Sequence, residues 1–377
     1  MLAGRDSDID YILEALRTGP RDSAFSMALI GDRGVGKTVV LNKIQSEVRE
    51  TMGWPVVAMQ AVPDAEILLP LAEKLREEAS STWQRVGALV KTLDKEISVS
   101  ANLLVVQATA KAQSGGSAST ASVAALERIF TAVGEAAKRR NHGVLITIDE
   151  AHVIPRLPDL AVLGAAIQLV TKRRQLPVAV LLAGLPELRQ RFRGIGTFLE
   201  RLDFREIGNL SKESTAYALV KPAADRGVHY EDDALALLVD ASGGYPYHVQ
   251  LLGQRTWEAA GRRRQIALSD AEAGAAAAQL EMDAIHQSRW DELSELERDY
   301  VYVVATHGPD PVEVSVIQDA LGRTPGQLSS TRKSLIEKHR VLLPAQYGEV
   351  KLTWAGFGAW VARHERRVSG RPRRRRP

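Results

Sequence analysis

The 377-residue sequence has no cysteine, which excludes disulfide frameworks, thiolate zinc fingers and thiol catalysis and leaves oxygen ligands for any metal. Long apolar runs are missing too. None reaches the roughly 18 residues needed to cross a bilayer, and Met1-Leu2-Ala3-Gly4-Arg5-Asp6 lacks the pattern of a signal peptide. A cytoplasmic protein with no membrane partner is expected. There are no internal repeats of the kind that build sensor arrays. What is present is the balance of a soluble globular protein, with 45% hydrophobic and 25% charged residues, in a chain long enough for two or three domains. Net charge is only +3, but it is unevenly distributed. From Ala320 onward 14 Lys and Arg face 3 Asp and Glu, so an acidic body carries a basic end suited to a polyanion, or simply a solvated tail.

Short apolar segments mark the strands of an α/β domain. Phe25-Ser26-Met27-Ala28-Leu29-Ile30 leads into a glycine-rich loop, and Val39, Val40, Leu41, Ile44 and Val48 follow at helical spacing. Further strands are expected at 55–59, 144–148 and 178–182, separated by amphipathic segments, which reads as a mostly parallel sheet. Residues 97–120 read as a hairpin or flexible insertion. An alanine-rich helical stretch follows from Ser211 to about Ile285, its last helix opened by a capping box at Ser269-Asp270-Ala271-Glu272. From Trp290 the pattern gives three helices, the third starting at Thr324-Pro325-Gly326-Gln327, and then a hairpin turning at Tyr347-Gly348. That is the order of a winged helix-turn-helix.

Gly31-Asp32-Arg33-Gly34-Val35-Gly36-Lys37-Thr38 is a complete phosphate-binding loop. Its glycines let successive backbone N–H groups turn toward phosphate oxygens, and the helix behind it adds its positive dipole end. Lys37 supplies a charge to the terminal phosphates, and the Thr38 hydroxyl is a ligand for Mg²⁺. The second motif is Val144-Leu145-Ile146-Thr147-Ile148-Asp149-Glu150, an apolar strand ending in two carboxylates. Asp149 is expected to hold Mg²⁺ and Glu150 to orient and deprotonate an attacking water. His152, which completes Asp-Glu-Ala-His, reads as incidental.

Together with Gly4-Arg5-Asp6-Ser7-Asp8-Ile9, Ala183-Gly184-Leu185-Pro186-Glu187-Leu188 and Gly243-Gly244-Tyr245-Pro246-Tyr247, these motifs resemble the AAA+ ATPases of the origin-recognition-complex-like group, including archaeal ATPases and their bacterial relatives. Transposon-type AAA ATPases share the Gly-x-Pro-Glu-Leu signature. The resemblance implies an α/β class fold: a P-loop AAA+ parallel sheet over 1–208, an α-helical lid over 209–289, a C-terminal winged helix-turn-helix domain over 290–368 and a basic tail over 369–377. It implies ATP hydrolysis, with Arg5 and Asp6 near the adenine and Val39 closing the loop contacts. It also implies that Arg201 acts as an arginine finger toward a neighbouring subunit of a nucleotide-dependent homo-oligomer. Two departures point to slow turnover: Tyr247 stands where the family often has a lid arginine, and Leu185-Pro186 where a polar residue is expected.

A winged helix reads double-stranded DNA with its third helix and its wing. Here Gln327, Ser330, Arg332, Lys333, Ser334 and Lys338 would face DNA from the helix and Lys351 from the wing, with Gln327, Ser330, Lys333 and Ser334 pointing away from the core. Winged helices also dock proteins. Three readings therefore stand: a DNA-binding ATPase, a signalling switch with an activating protein partner, and a transcription regulator with a structural P-loop.

Overall fold

A computed structural model describes residues 2–63, 65–83, 120–154, 157–193, 195, 199, 202–308, 310–345, 348–353 and 356–368. The insertion expected over 97–120 lies outside the described residues except at its last position, and the basic tail lies wholly outside them. The chain divides into two compact units, one of Met1–Gly31 with Gly36–Gly208 and the other of Asp32–Val35 with Asn209–Pro377.

The first unit is built on five parallel strands: β1 (Met27–Ile30), β2 (Val56–Gln60), β3 (Val144–Asp149), β4 (Val178–Gly184) and β5 (Asp203–Glu206). Their order across the sheet is β2-β3-β4-β1-β5, so β4 separates the strand before the P-loop from the strand that carries the carboxylates. Every residue of β1 and β4 is buried, the continuous apolar run of strands covered on both faces. Side chains divide by parity. Ala28, Ile30, Val144, Ile146, Ile148, Val178, Val180 and Leu182 join one core with α3 (Leu68–Trp83), α4 (Thr120–Lys138) and α5 (Leu157–Gln168), in which Phe130 is fully buried. Thr147, of the opposite parity, meets α2 (Lys37–Glu47), where Gln45 Nε2 donates to its hydroxyl at 2.8 Å. The helix before β1, α1 (Asp6–Thr18), buries Ile9, Ile12, Leu13 and Leu16. A short α6 (Glu187–Phe192) follows β4. Strand β5 was not foreseen, because Asp-Phe-Arg-Glu carries only one apolar residue; it is an edge strand, paired with β1 alone.

The second unit begins with four helices, α7 (Lys212–Ala224), α8 (Asp232–Ser242), α9 (Pro246–Ala260) and α10 (Leu268–Asp291), around a core that includes Leu219, Leu238, Val249, Leu252, Ala271 and Met282. Two-residue strands β6 (His229–Tyr230) and β7 (Gln265–Ile266) pair in parallel. The expected capping box is corrected: α10 starts two residues earlier, with Ala267 rather than Ser269 at the N-cap, and the Ala267 N–H donates to Asp270 Oδ2 at 3.0 Å. The short, well-placed Asp270 side chain satisfies the helix end that Glu272 was expected to serve.

A separate core contains α11 (Glu295–Thr306), β8 (Val312–Glu313), α12 (Val314–Leu321), α13 (Pro325–Glu337), β9 (Leu342–Pro344), β10 (Glu349–Leu352) and α14 (Phe357–Val368). The strands form an antiparallel sheet in the order β8-β10-β9. At α13 the Thr324 N–H donates to Gln327 Oε1 at 2.9 Å, the cap expected from the sequence. Three helices followed by a hairpin fit the winged helix-turn-helix expected for this region. The helix after the hairpin was not anticipated; it buries Phe357 and Val361 in this core.

Candidate nucleotide site

Parallel strands deliver ligand-binding loops at their C-terminal ends. At that end of β1 the chain enters the P-loop, and α2 starts at Lys37 with Gly36 as its N-cap and no side-chain cap. Gly34 and Gly36 have φ of +76° and +97°, conformations that glycine reaches without the Cβ clash other residues suffer. The result is a helix N-terminus whose backbone is arranged for an anion. Lys37 is buried at 6% exposure and its Nζ donates to the Gly31 carbonyl at 2.8 Å, folding the cation back over the loop. Val39 lies on the outer side of α2 at 46% exposure.

Strand β3 brings the second motif to the same end of the sheet. The Thr38 hydroxyl donates to Asp149 Oδ2 at 2.6 Å, although 111 positions separate them in sequence. Asp149 Oδ1 accepts the Glu150 N–H at 2.8 Å. Glu150 itself is left-handed, with φ of 54° and ψ of 30°. For a non-glycine residue this costs roughly 1–3 kcal/mol, strain that clusters at functional sites. One hydroxyl and one carboxylate form an oxygen-only set that suits Mg²⁺, which commonly takes one or two protein carboxylates and completes its shell with phosphates and water. Among the described residues no group of three or more His, Asp or Glu could hold a metal.

Arg5 caps α1 and its guanidinium donates to the Gly208 carbonyl. Burial lowers its pKa, partly offset by Asp8. Asp6 is exposed in the first turn of α1. Arg201 lies outside the described residues. The loop tip, Asp32, Arg33, Gly34 and Val35, belongs to the second unit, where the Tyr245 hydroxyl donates to the Arg33 carbonyl at 2.9 Å.

In the same unit, Ser330, Lys333 and Lys338 are exposed on or just beyond α13, and Arg332 is half-buried. Lys351 pairs with Asp32 at 3.3 Å. One orientation differs from expectation, that of Ser334, and one expected side chain is already engaged. Gln327 is exposed, but its amide oxygen serves the Thr324 cap. Ser334 is half-buried and hydrogen-bonds Glu297 of α11, because one turn of α13 carries it toward the core side. The sequence reading also missed the surroundings of His152, whose Nε2 lies 3.5 Å from Glu150 Oε2. Its spacing, two residues past the carboxylate on a tight turn, is the only signal that pointed there.

Residues 1–182 match the family described as AAA ATPase domain. The match covers nearly half of the chain, the part that holds the P-loop and, of the five strands, all but the end of β4 and the whole of β5. Its fold is shared with the Walker-type ATPase PabY2304 of Pyrococcus abyssi, at TM-score 0.57 and 13% identity over 96% of each chain. The RuvB Holliday junction branch migration motor of Thermotoga maritima aligns at TM-score 0.43 and 13% identity over 93% of each chain. Cdc6p of Pyrobaculum aerophilum aligns at TM-score 0.43 and 14% identity over 98% of this chain and 95% of its own. Residues 283–361 match a domain of unknown function (DUF8462). No curated protein matches in sequence. Among the described residues, no helix is long and apolar enough to cross a membrane.

Proposed function

We propose that this chain is an AAA ATPase that binds ATP with Mg²⁺, hydrolyses it slowly, and uses the nucleotide to switch its conformation or assembly on double-stranded DNA. The observation that carries the reading is the hydrogen bond between Thr38 and Asp149, two residues distant in sequence whose oxygens are brought together where Mg²⁺ would take protein ligands. In this reading the backbone from Gly31 to Val39 cradles the phosphates, and Lys37 neutralises the terminal ones. Thr38 and Asp149 hold Mg²⁺, and Glu150 orients the attacking water and takes its proton. When bound, Mg²⁺ polarises the phosphate oxygens. Arg5 and Asp6 flank the adenine, and Arg201 serves a neighbouring subunit of a homo-oligomer. Tyr247 in place of a lid arginine supports slow turnover awaiting an activating protein.

The test is direct. Glu150→Gln should keep its affinity for a fluorescent ATP analogue while steady-state phosphate release falls at least ~100-fold, the scale of lost water positioning. Unchanged turnover would remove Glu150 from the mechanism.

DNA contact rests on the exposed Ser330, Lys333 and Lys338 of α13 and its end, beside Arg332. Removing one phosphate-contacting lysine, as in Lys333→Ala, should weaken duplex binding regardless of sequence and reduce the salt slope by about 1. A specific observation favours protein docking as a second reading: Lys351 pairs with Asp32, Ser334 with Glu297 and the Gln327 amide oxygen with the Thr324 cap, which engages three of the seven groups expected to face DNA. Equal duplex binding by Lys333→Ala and Lys338→Ala proteins would favour it.

A further inference from the structure

His152 has three fixed surroundings, all in the first unit. Its side chain is 5% exposed and its Nε2 lies 3.5 Å from Glu150 Oε2. On the other side of the ring, Nδ1 accepts the Leu185 N–H at 3.3 Å, and Leu185 is the residue that follows β4. A backbone N–H can only donate, so Nδ1 must be the bare nitrogen of a neutral ring, and the ring proton then sits on Nε2. The tautomer is thus set by the residue after β4, and the nitrogen left with the proton is the one 3.5 Å from the Glu150 carboxylate.

The turn that bears the ring, Ala151–Val153, is itself held. Arg191 of α6 donates from its two terminal nitrogens to the carbonyls of His152 and Ile154. Gly184 brings the end of β4 close beneath: a Cβ added there would lie 3.2 Å from the His152 nitrogen and 3.4 Å from its Cβ. The ring therefore connects the carboxylate at the end of β3 to the backbone at the end of β4, the strand beside it.

We propose that His152 is a positioning residue for Glu150. By donating from Nε2 to Oε2, it fixes the left-handed Glu150 in one rotamer and leaves Oε1 to meet water. It also makes that rotamer depend on where the segment after β4 lies, so a shift at Leu185 is transmitted to the carboxylate. The inference rests on the proposed role of Glu150 in hydrolysis.

Two kinds of measurement test it in the full-length protein. Long-range ¹H–¹⁵N spectra of the imidazoles report the tautomer without any turnover: the His152 signal should show a bare Nδ1 and a protonated Nε2, and Glu150→Gln should shift Nε2. A protonated Nδ1, or no shift, overturns the proposal. The second is a substitution series read by phosphate release and by binding of a fluorescent ATP analogue. His152→Gln keeps a donor near the Nε2 position, whereas His152→Asn keeps only an acceptor for Leu185. His152→Ala and His152→Asn should lower kcat about 10- to 100-fold, the cost of a loosened catalytic group, with nucleotide affinity unchanged. His152→Gln should recover most of the rate. Equal rates for His152→Asn and wild type, or equal losses for Gln and Asn, overturn the donor role. Glu150→Gln is the control. If it turns over normally the hydrolytic reading of Glu150 has failed, while the tautomer spectra still judge the contact with His152.

Discussion

His286 is 3% exposed on α10, among the rings of Phe357 and Trp360 from α14, with centroids at 5.3 and 6.0 Å. Its Nδ1 has no hydrogen-bond partner among the described residues. Burial pushes its pKa down to about 4 from 6.5; Arg289, His248 and Arg363 lower it further, and Asp283 opposes them. The folded state thus holds a neutral imidazole that the unfolded chain protonates below about pH 6.5. Between those values the unfolded state binds more protons, so stability rises with pH and is lost as pH falls through this window. The shift from 6.5 to about 4 corresponds to about 3 kcal/mol once both states are protonated, of which about 2 kcal/mol is already lost at pH 5. Urea unfolding of wild type and His286→Gln at pH 7 and pH 5, followed by tryptophan fluorescence, isolates this group. The stability advantage of the wild type over the variant should shrink by about 2 kcal/mol at the lower pH. Parallel pH dependence, or a His286 ring signal titrating near 6.5, would refute the reasoning.

Three further outcomes follow from packing and backbone geometry. Gly274→Ala on α10 would set a Cβ 2.5 Å from the backbone nitrogen of Thr256 on α9, and since two helix backbones must part, a loss of about 1–3 kcal/mol or more is expected in thermal unfolding. Gly36→Ala meets no atom within 4 Å of the added Cβ; its cost of about 1–2 kcal/mol comes from the left-handed backbone alone, and it should appear as weaker nucleotide binding in a titration. Phe130→Ala empties a fully buried site between the sheet and α4, which should cost about 3–5 kcal/mol in urea unfolding.

Four of the five strands of the main sheet were legible because buried parallel strands read as short continuous apolar runs. The fifth, Asp203–Glu206, lies at an edge where one neighbour suffices, so its composition carries no such mark. The capping pattern places the start of α10 two residues late because Asp270 and Glu272 offer competing capping signals, and only the fold selects between them. Ser334 was assigned to the outer face of α13 from periodicity; the nearby Glu297 carboxylate draws it inward, a contact with a residue 37 positions away in number.

The sequence by itself determined the chemistry on offer: glycines able to bend a loop around phosphate, one lysine and one threonine at its end, and two carboxylates at the end of an apolar strand. Local spacing encodes these because each depends on backbone conformation within a few residues. The tertiary structure decided which of them meet. Strand order carries Asp149 to within 2.6 Å of Thr38, and the adjacency of β3 and β4 sets His152 between Glu150 and Leu185. Those contacts arise from sheet pairing between distant segments, and no local pattern in the chain records which strand will lie beside which.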